Sequence, residues 1–130
     1  MILFEDLNNT YKLLDYHITH SRLLLRSMRS KDREYNIDIV FKPVDKLILN
    51  TSFNGLEISL CKVDDFAWLI SDYQFDVRYN NKIFCLKDNA DQQYYINAMA
   101  MGVFHNQLES NESSIKGMDD EFGEKLLWYN

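Results

Sequence analysis

Two histidines, His17 and His20, have a spacing that could hold a metal ion. Zinc ligands three residues apart need a helix, on which positions i and i+3 share a face. The surrounding residues favour a strand instead, and on a strand these two side chains would point to opposite faces. No cluster of cysteines or carboxylates completes a site beside them. The sequence therefore predicts two ordinary polar histidines and no bound metal.

Cys61 and Cys85 could supply a nucleophile, with His105 as the base that activates it. A Cys–His pair is recognised by its geometry, so the sequence spacing gives no support for this chemistry. Cys85 lies in an apolar stretch and is expected to be a small buried side chain. The sequence predicts no enzyme, and an enzyme that pairs one of the three histidines with a carboxylate ranks third among the alternatives. That alternative requires the groups to converge in one cleft.

Four aspartates, Asp64, Asp65, Asp72 and Asp76, could suggest a calcium site. They lack the spacing and the glycine of an EF-hand loop, so we expect turn and solvent-facing carboxylates. The chain also has no G-x-G-x-x-G, P-loop, G-x-S-x-G or C-x-x-C motif. These are the motifs that cradle phosphates or carry nucleophiles, and we therefore predict no cofactor.

Charge and aromatic residues supply the candidate partner-binding positions. The net charge of −6 disfavours nucleic acid or an anionic membrane as partner and permits a basic protein. Basic residues cluster between Arg22 and Arg33, where a solvated strand end is the alternative interpretation, and acidic residues cluster near the C-terminus. Aromatics such as Trp68, Tyr73 and Tyr79 are typical of interfaces and also of sheets. The candidates are Arg22, Arg26, Asp76, Arg78, Asp119, Asp120 and Glu121.

The composition predicts one domain over residues 1–130 with a substantial core. Apolar residues make up 46% of the chain and aromatic residues 14%. No apolar run approaches the roughly 20 residues needed to span a bilayer. The N-terminal residues lack the basic region of a signal peptide, so we expect a cytoplasmic protein with reduced cysteines.

Helices are predicted at the two ends of the chain. Leu3, Leu7, Tyr11 and Leu14 recur near a helical period and favour a short helix over 3–15. Met118, Phe122 and Leu126 recur every fourth residue and favour a helix over 118–128, after an exposed loop over 106–117.

Strands are predicted over most of the remaining chain. They cover 17–28, for which a continued helix is the alternative, and 36–41, after which Pro43 ends or offsets the strand. They also cover 93–104, which is apolar on both faces and suits a central strand. A helix is the rival interpretation of 93–104, and 66–70 is a short strand or a turn of helix.

Two hairpins are predicted between these strands. In 47–60, alternating apolar residues flank Asn54-Gly55, the favoured pair for a two-residue turn, which would place Phe53 opposite Leu56. In the second hairpin, 73–79 would return along 82–86 through Asn80-Asn81.

Together these elements predict an α+β fold, predominantly an antiparallel β-sheet of about six to eight strands with short N- and C-terminal helices. The sheet would form a curled sheet, a sandwich or a partial barrel. Ala98, Ala100 and Gly102 would share one face, over which something large could pack.

One pattern covers about residues 17–104. It combines Thr-His-Ser-Arg-Leu-Leu-Leu-Arg-Ser with Asn-Ile-Asp-Ile-Val-Phe-Lys-Pro-Val, Leu-Ile-Leu-Asn-Thr-Ser-Phe-Asn-Gly-Leu-Glu-Ile and a late Tyr-Tyr-Ile-Asn-Ala. The pattern, with residues such as His20, Ser21, Arg22, Phe53 and Gly55, resembles small bacterial β-rich proteins that are presumed immunity proteins of polymorphic toxin systems. The resemblance implies a non-enzymatic cytoplasmic protein that binds and blocks one cognate toxin.

Two binding functions are therefore carried forward. The first is a cytoplasmic protein-binding domain, an immunity protein in the form that the resemblance implies, whose acidic surface attracts a basic partner. The alternative is a small-molecule-binding module with a pocket between sheet and helix, suggested by the small residues Ala98, Ala100 and Gly102.

Overall fold

The computed structural model describes residues 1–115 and 123–130, which form seven strands and one short helix. The strands are β1 (Ile2–His17), β2 (Arg22–Ser27), β3 (Asn36–Ile48), β4 (Ser52–Leu60), β5 (Lys82–Lys87), β6 (Gln93–Asn106) and β7 (Glu124–Tyr129). Helix α1 (Ala67–Tyr73) follows a 3-10 turn at Val63–Phe66, and a second 3-10 turn spans Ile18–His20. Within the described ranges, no helix is long and apolar enough to cross a membrane.

All strand pairs are antiparallel, and the sheet closes on itself. The strand order is β3-β2-β1-β4-β5-β6-β7, and an additional pairing of β3 with β6 completes a ring of six strands. β6 is long enough to pair with β3 along one edge and with β5 and then β7 along the other. The predicted antiparallel sheet is therefore confirmed, and 93–104 is a central strand as predicted.

The interior of the closed sheet is filled by side chains from all six strands. Aromatic residues dominate it, including Tyr11, Phe41, Phe53 and Phe84, and the Phe41 and Phe84 rings meet edge to face at 5.3 Å. Each fully buried side chain of this size stabilises the fold by about 1.5–3 kcal/mol. Two smaller apolar clusters lie elsewhere, one under α1 and one under Trp128.

The predicted terminal helices are wrong. Residues 3–15 lie in β1, which pairs with β4 through its first part and with β2 through its last part. Backbone pairing on two neighbours outweighs a weak helical period that includes the poor helix formers Asn8, Asn9 and Thr10. Residues 124–128 of the predicted C-terminal helix lie in β7 on the edge of β6, and its part over 118–122 lies outside the described residues.

The predicted hairpin over 47–60 is also wrong. β3 ends at Ile48, and β4 runs straight through Asn54-Gly55, so that Phe53 lies opposite Tyr11 and not opposite Leu56. Gly55 does adopt a positive φ of +76°, but it does so at an irregularity within a strand. Its positive φ favours glycine, and an added Cβ would also meet the amide of the Asn89 side chain, which would have to move.

The second predicted hairpin is half correct. Residues 82–87 form β5, but 73–79 form no strand, and a turn at Tyr79-Asn80 leads into β5. For 66–70 the helical interpretation is confirmed by α1. Pro43 does not end its strand, since β3 continues through it to Ile48, but the alternative that it offsets the strand agrees with the register shift between Val44 and Lys46.

Candidate functional site

The segment between β4 and β5, residues 61–81, is the largest departure from the sheet and is called the helical insertion here. Its Leu69 and Phe75 are buried against Ile83, Cys85 and Tyr95 on the outer face of the sheet. The Phe75 amide donates to the Leu69 carbonyl at 3.0 Å, which closes the C-terminal end of α1. The short helix is therefore fixed to the sheet by its apolar side, and its other side faces outward.

The outward side of the helical insertion carries acidic and aromatic residues. This surface, called the insertion surface, consists of Asp64, Asp65, Trp68, Asp72 and Tyr73, all of them exposed. Trp68 and Tyr73 remain 40% and 51% exposed despite their size. Residues 63–77 contain four aspartates and no basic residue. The chain therefore presents concentrated negative charge around two large aromatic rings.

The rings of the insertion surface are held in place. The Trp68 ring meets Tyr73 edge to face at 5.8 Å and Tyr95 at 5.4 Å. Tyr95 belongs to central strand β6 and also contacts Phe66 at 5.5 Å. Because Trp68 rests on a buried ring of the sheet, little side-chain entropy is left to lose when a partner covers it.

The two candidate residues Asp76 and Arg78 lie at the end of the helical insertion and bind each other. Arg78 Nε donates to Asp76 Oδ1 at 3.1 Å, and the Arg78 guanidinium also lies over the exposed ring of Tyr79. Hydrogen bonds from the Arg78 side chain and amide hold the pKa of Asp76 below its usual value. Asp119, Asp120 and Glu121, also predicted for partner binding, lie outside the described residues.

Arg26 was expected at a binding surface, and the structure corrects this expectation. Its side chain is buried and makes a bidentate pair with Asp38 on β3, at 2.6 and 2.9 Å. It also donates to the carbonyls of Glu109 and Glu112, so that the loop after β6 closes over it. Arg26 is therefore a structural residue, and no feature of the linear sequence indicates that this loop covers it.

Arg22 is also buried, at 7% exposed, and the register places it beside Lys42 of β3. Both residues line an open cavity of about 390 Å³ together with His20 and Ala100. Arg22 therefore reaches solvent through this cavity. The cavity is lined by the two basic residues Arg22 and Lys42, and no residue of the insertion surface lines it. Of the four predicted charged residues that the structure describes, Asp76 and Arg78 pair with each other, and Arg22 and Arg26 lie elsewhere.

The three histidines occupy two different places. His17 and His20 stack at 5.5 Å with nearly parallel rings, so the expectation that they face opposite ways is wrong. The 3-10 turn at Ile18–His20 breaks the strand and brings the rings together. His105 instead stacks on Tyr35 at 3.9 Å, and burial lowers its pKa.

His105 does not converge with the other two histidines. It lies five residues along β6 from Ala100, which is about 17 Å of strand. Among the described residues, no group of three or more histidine, cysteine or acidic side chains could hold a metal ion.

Cys61 and Cys85 lie next to each other beneath the helical insertion. Cys61 directly follows β4, and its amide donates to the Ile83 carbonyl of β5 at 2.9 Å, which places its side chain beside that of Cys85. The interaction with Cys85 and then burial raise the pKa of Cys61, whereas the interaction with Cys61 lowers the pKa of Cys85. Cys85 is buried as predicted, but its partner is Cys61 and not His105.

Ala98, Ala100 and Gly102 do not share one face as predicted. Ala98 belongs to the interior core, whereas Gly102 lies under the Trp128 ring on the outer side. The inward-facing residues of β6 change from even to odd numbers between Ala98 and Met101, since both of these side chains belong to the interior core. The small-molecule pocket suggested by these residues loses its basis.

The chain matches no protein-family model, no curated protein and no solved structure. The site must therefore be judged by its geometry. The insertion surface was not predicted as a unit, because its aspartates were expected at turns or on solvent faces, 66–70 was left between a strand and a turn of helix, and Tyr73 was assigned to a strand. Asp65, Trp68 and Asp72 are spaced by three and four residues, which on the observed 3-10 turn and helix places them on one side. This spacing is the sequence signal that could have predicted the surface.

Proposed function

We propose that this chain is a cytoplasmic, non-enzymatic protein-binding domain that engages a basic partner through the insertion surface. In the specific form that the resemblance favours, the partner is a cognate toxin and the chain is its immunity protein. The observation that carries the proposal is the exposed pair Trp68 and Tyr73 set among Asp64, Asp65 and Asp72.

The aromatic pair supplies the binding energy in this proposal. Trp and Tyr are enriched among the residues that dominate interface energetics, because they bury large area with few rotatable bonds. Trp68 is already positioned by its contacts with Tyr73 and Tyr95. A partner pocket that receives Trp68 would remove both apolar area and water from the ring.

The carboxylates supply attraction and selectivity. The net charge of −6 and the three aspartates of the insertion surface, Asp64, Asp65 and Asp72, give this surface a negative potential. Such a field speeds encounter with a basic partner and disfavours acidic ones, and the rate enhancement falls as salt rises. A toxin with a basic cleft for nucleic acid would fit this surface.

The test is a binding and protection experiment with the product of the neighbouring open reading frame. The chain should bind that product in a pull-down and restore growth when the two are co-expressed. Trp68→Ala should raise the dissociation constant about thirtyfold, which corresponds to the loss of a contact worth about 2 kcal/mol. Tyr16→Ala is the matched control, because Tyr16 has the same exposed fraction, 40%, on β1.

A second pair of variants tests the charges. Asp65→Asn should slow association at low salt, while Asp32→Asn, an exposed aspartate in the loop before β3, should not. Absence of binding and protection would contradict the proposal. Equal loss of binding in Trp68→Ala and Tyr16→Ala would retain a binding domain but reject the insertion surface.

A further inference from the structure

The chain has only two cysteines, and the β4–β5 register brings them together. Ser59 lies opposite Cys85, and the amide of Cys61 donates to the carbonyl of Ile83, so Cys61 and Cys85 are diagonal neighbours on adjacent segments. Both pack in the apolar cluster under α1 with Leu69 and Tyr95. The contact is a product of the fold, since 23 residues separate the two positions in the chain.

The two thiols differ in their surroundings, as the members of a redox pair do. Cys61 is half-buried and lines an open cavity of about 380 Å³ beside Lys82, so a small oxidant can reach the pair from solvent. Cys85 is 9% exposed and is the more buried of the two thiols. The interaction with Cys61 lowers the pKa of Cys85 against the opposing effect of burial, and Lys87 and Ser59 lower it further while Glu57 raises it.

We propose that Cys61 and Cys85 form a reversible dithiol–disulfide pair that fastens the helical insertion to the sheet. The contact between the thiols at the point where the insertion leaves β4 carries this inference. It does not depend on the proposed partner, because oxidation is measured on the isolated chain. An S–S bond would close a loop over residues 62–84, which contains the whole of α1.

The oxidant is hydrogen peroxide, and the chemistry balances. The Cys85 thiolate attacks one peroxide oxygen, the O–O bond breaks, and hydroxide leaves a sulfenic acid on Cys85. The Cys61 sulfur then attacks the Cys85 sulfur, the S–S bond forms and a second hydroxide leaves. The protons of the two thiols convert both hydroxides to water, so the pair loses two electrons and peroxide gains them.

The experiment treats the reduced chain with a small excess of hydrogen peroxide and then with N-ethylmaleimide. The expected product is a monomer that has lost two hydrogens and takes up no maleimide. Trypsin cleaves after Lys46, Lys62, Lys82 and Lys87, so peptides 47–62 and 83–87 should remain joined until dithiothreitol separates them. Oxidation should also raise the thermal midpoint by roughly 5–10 °C, because the cross-link restricts the unfolded chain.

Cys61→Ser and Cys85→Ser are the controls, and neither should give the joined peptides or the higher midpoint. Two maleimide adducts on the peroxide-treated chain would overturn the proposal. So would oxygen adducts on separate cysteines, or a disulfide that links two chains. If the two peptides were joined but the thermal midpoint did not rise, the disulfide would form without fastening the helical insertion to the sheet, and that part of the proposal would be wrong.

Discussion

At the scale of single residues, the buried ion pair of Arg26 and Asp38 shows how a charged residue can be mistaken for a surface one. Asp38 alternates with Ile37 and Ile39, a pattern typical of a strand with one solvent face. Here that outer face is covered by the loop after β6, and Asn106 donates to Asp38 at 2.7 Å to complete the pair. The hydrogen bonds of this pair join β2, β3, β6 and the loop after β6. Contacts between such distant segments cannot be predicted from the local sequence pattern.

Removing Arg26 should strongly destabilise the protein. Arg26→Met leaves the Asp38 carboxylate buried without its cation, and such losses cost about 3–5 kcal/mol. Arg78→Met is the control, because its pair with Asp76 is exposed and screened by solvent, so its loss should change the free energy of unfolding little. Urea unfolding of both variants measures the difference, and a similar loss in the two would contradict the role assigned to Arg26. Arg26→Met with Asp38→Leu should recover much of the stability, since no buried charge remains.

At the scale of elements, the sequence predicted most strands but misplaced their partners. The strands at 36–41, 82–86 and 93–104, and the part of 17–28 that forms β2, were predicted from alternation and apolar runs, which are local properties. The 3-10 turn at Ile18–His20 within 17–28 was not predicted. The Asn54-Gly55 signal was also real, because Gly55 does have a positive φ. It failed as a turn because the positive φ of Gly55 belongs to an irregularity in the pairing of β4 with β1, and β1 lies more than 40 positions earlier in the chain. The insertion surface was missed for a related reason, since its residues acquire a common face only once the helix is known.

Gly102 on β6 leaves the space into which Trp128 of β7 packs. An added Cβ would lie 2.6 Å from Trp128 and 2.7 Å from Phe104, too close for any real contact. Gly102→Ala should therefore cost about 1–3 kcal/mol by overpacking, which outweighs the roughly 0.5–1 kcal/mol that alanine usually gains over glycine in a strand. In a Trp128→Ala background the cost should shrink, and a double-mutant cycle by urea unfolding measures that coupling. Equal costs in both backgrounds would show that the Trp128 ring is not what Gly102 accommodates.

At the scale of the whole molecule, the closure of the sheet depends on β3 and β6. Their pairing extends from Asn36 with Asn106 to Ile48 with Tyr95 and joins parts of the chain that are far apart in sequence. Each of the two strands also has a second neighbour, β2 for β3 and β5 with β7 for β6. Neither strand can open without breaking the ring, whereas β7 has β6 as its one partner among the described strands.

Native-state hydrogen exchange should therefore divide the molecule into two classes. Amides of β3 and β6 with interior residues such as Ile39 and Ile96 should exchange only through global unfolding, because local opening would expose the filled interior. Amides of β7 and of α1 should exchange through smaller openings, since β7 is an edge strand and α1 spans seven residues. The measurement is exchange at increasing sub-denaturing urea, in which the first class follows the slope of global unfolding and the second does not. If β7 amides exchanged as slowly as those of β3, the ring of six strands would not be the cooperative unit, and β7 would have to be counted as part of it.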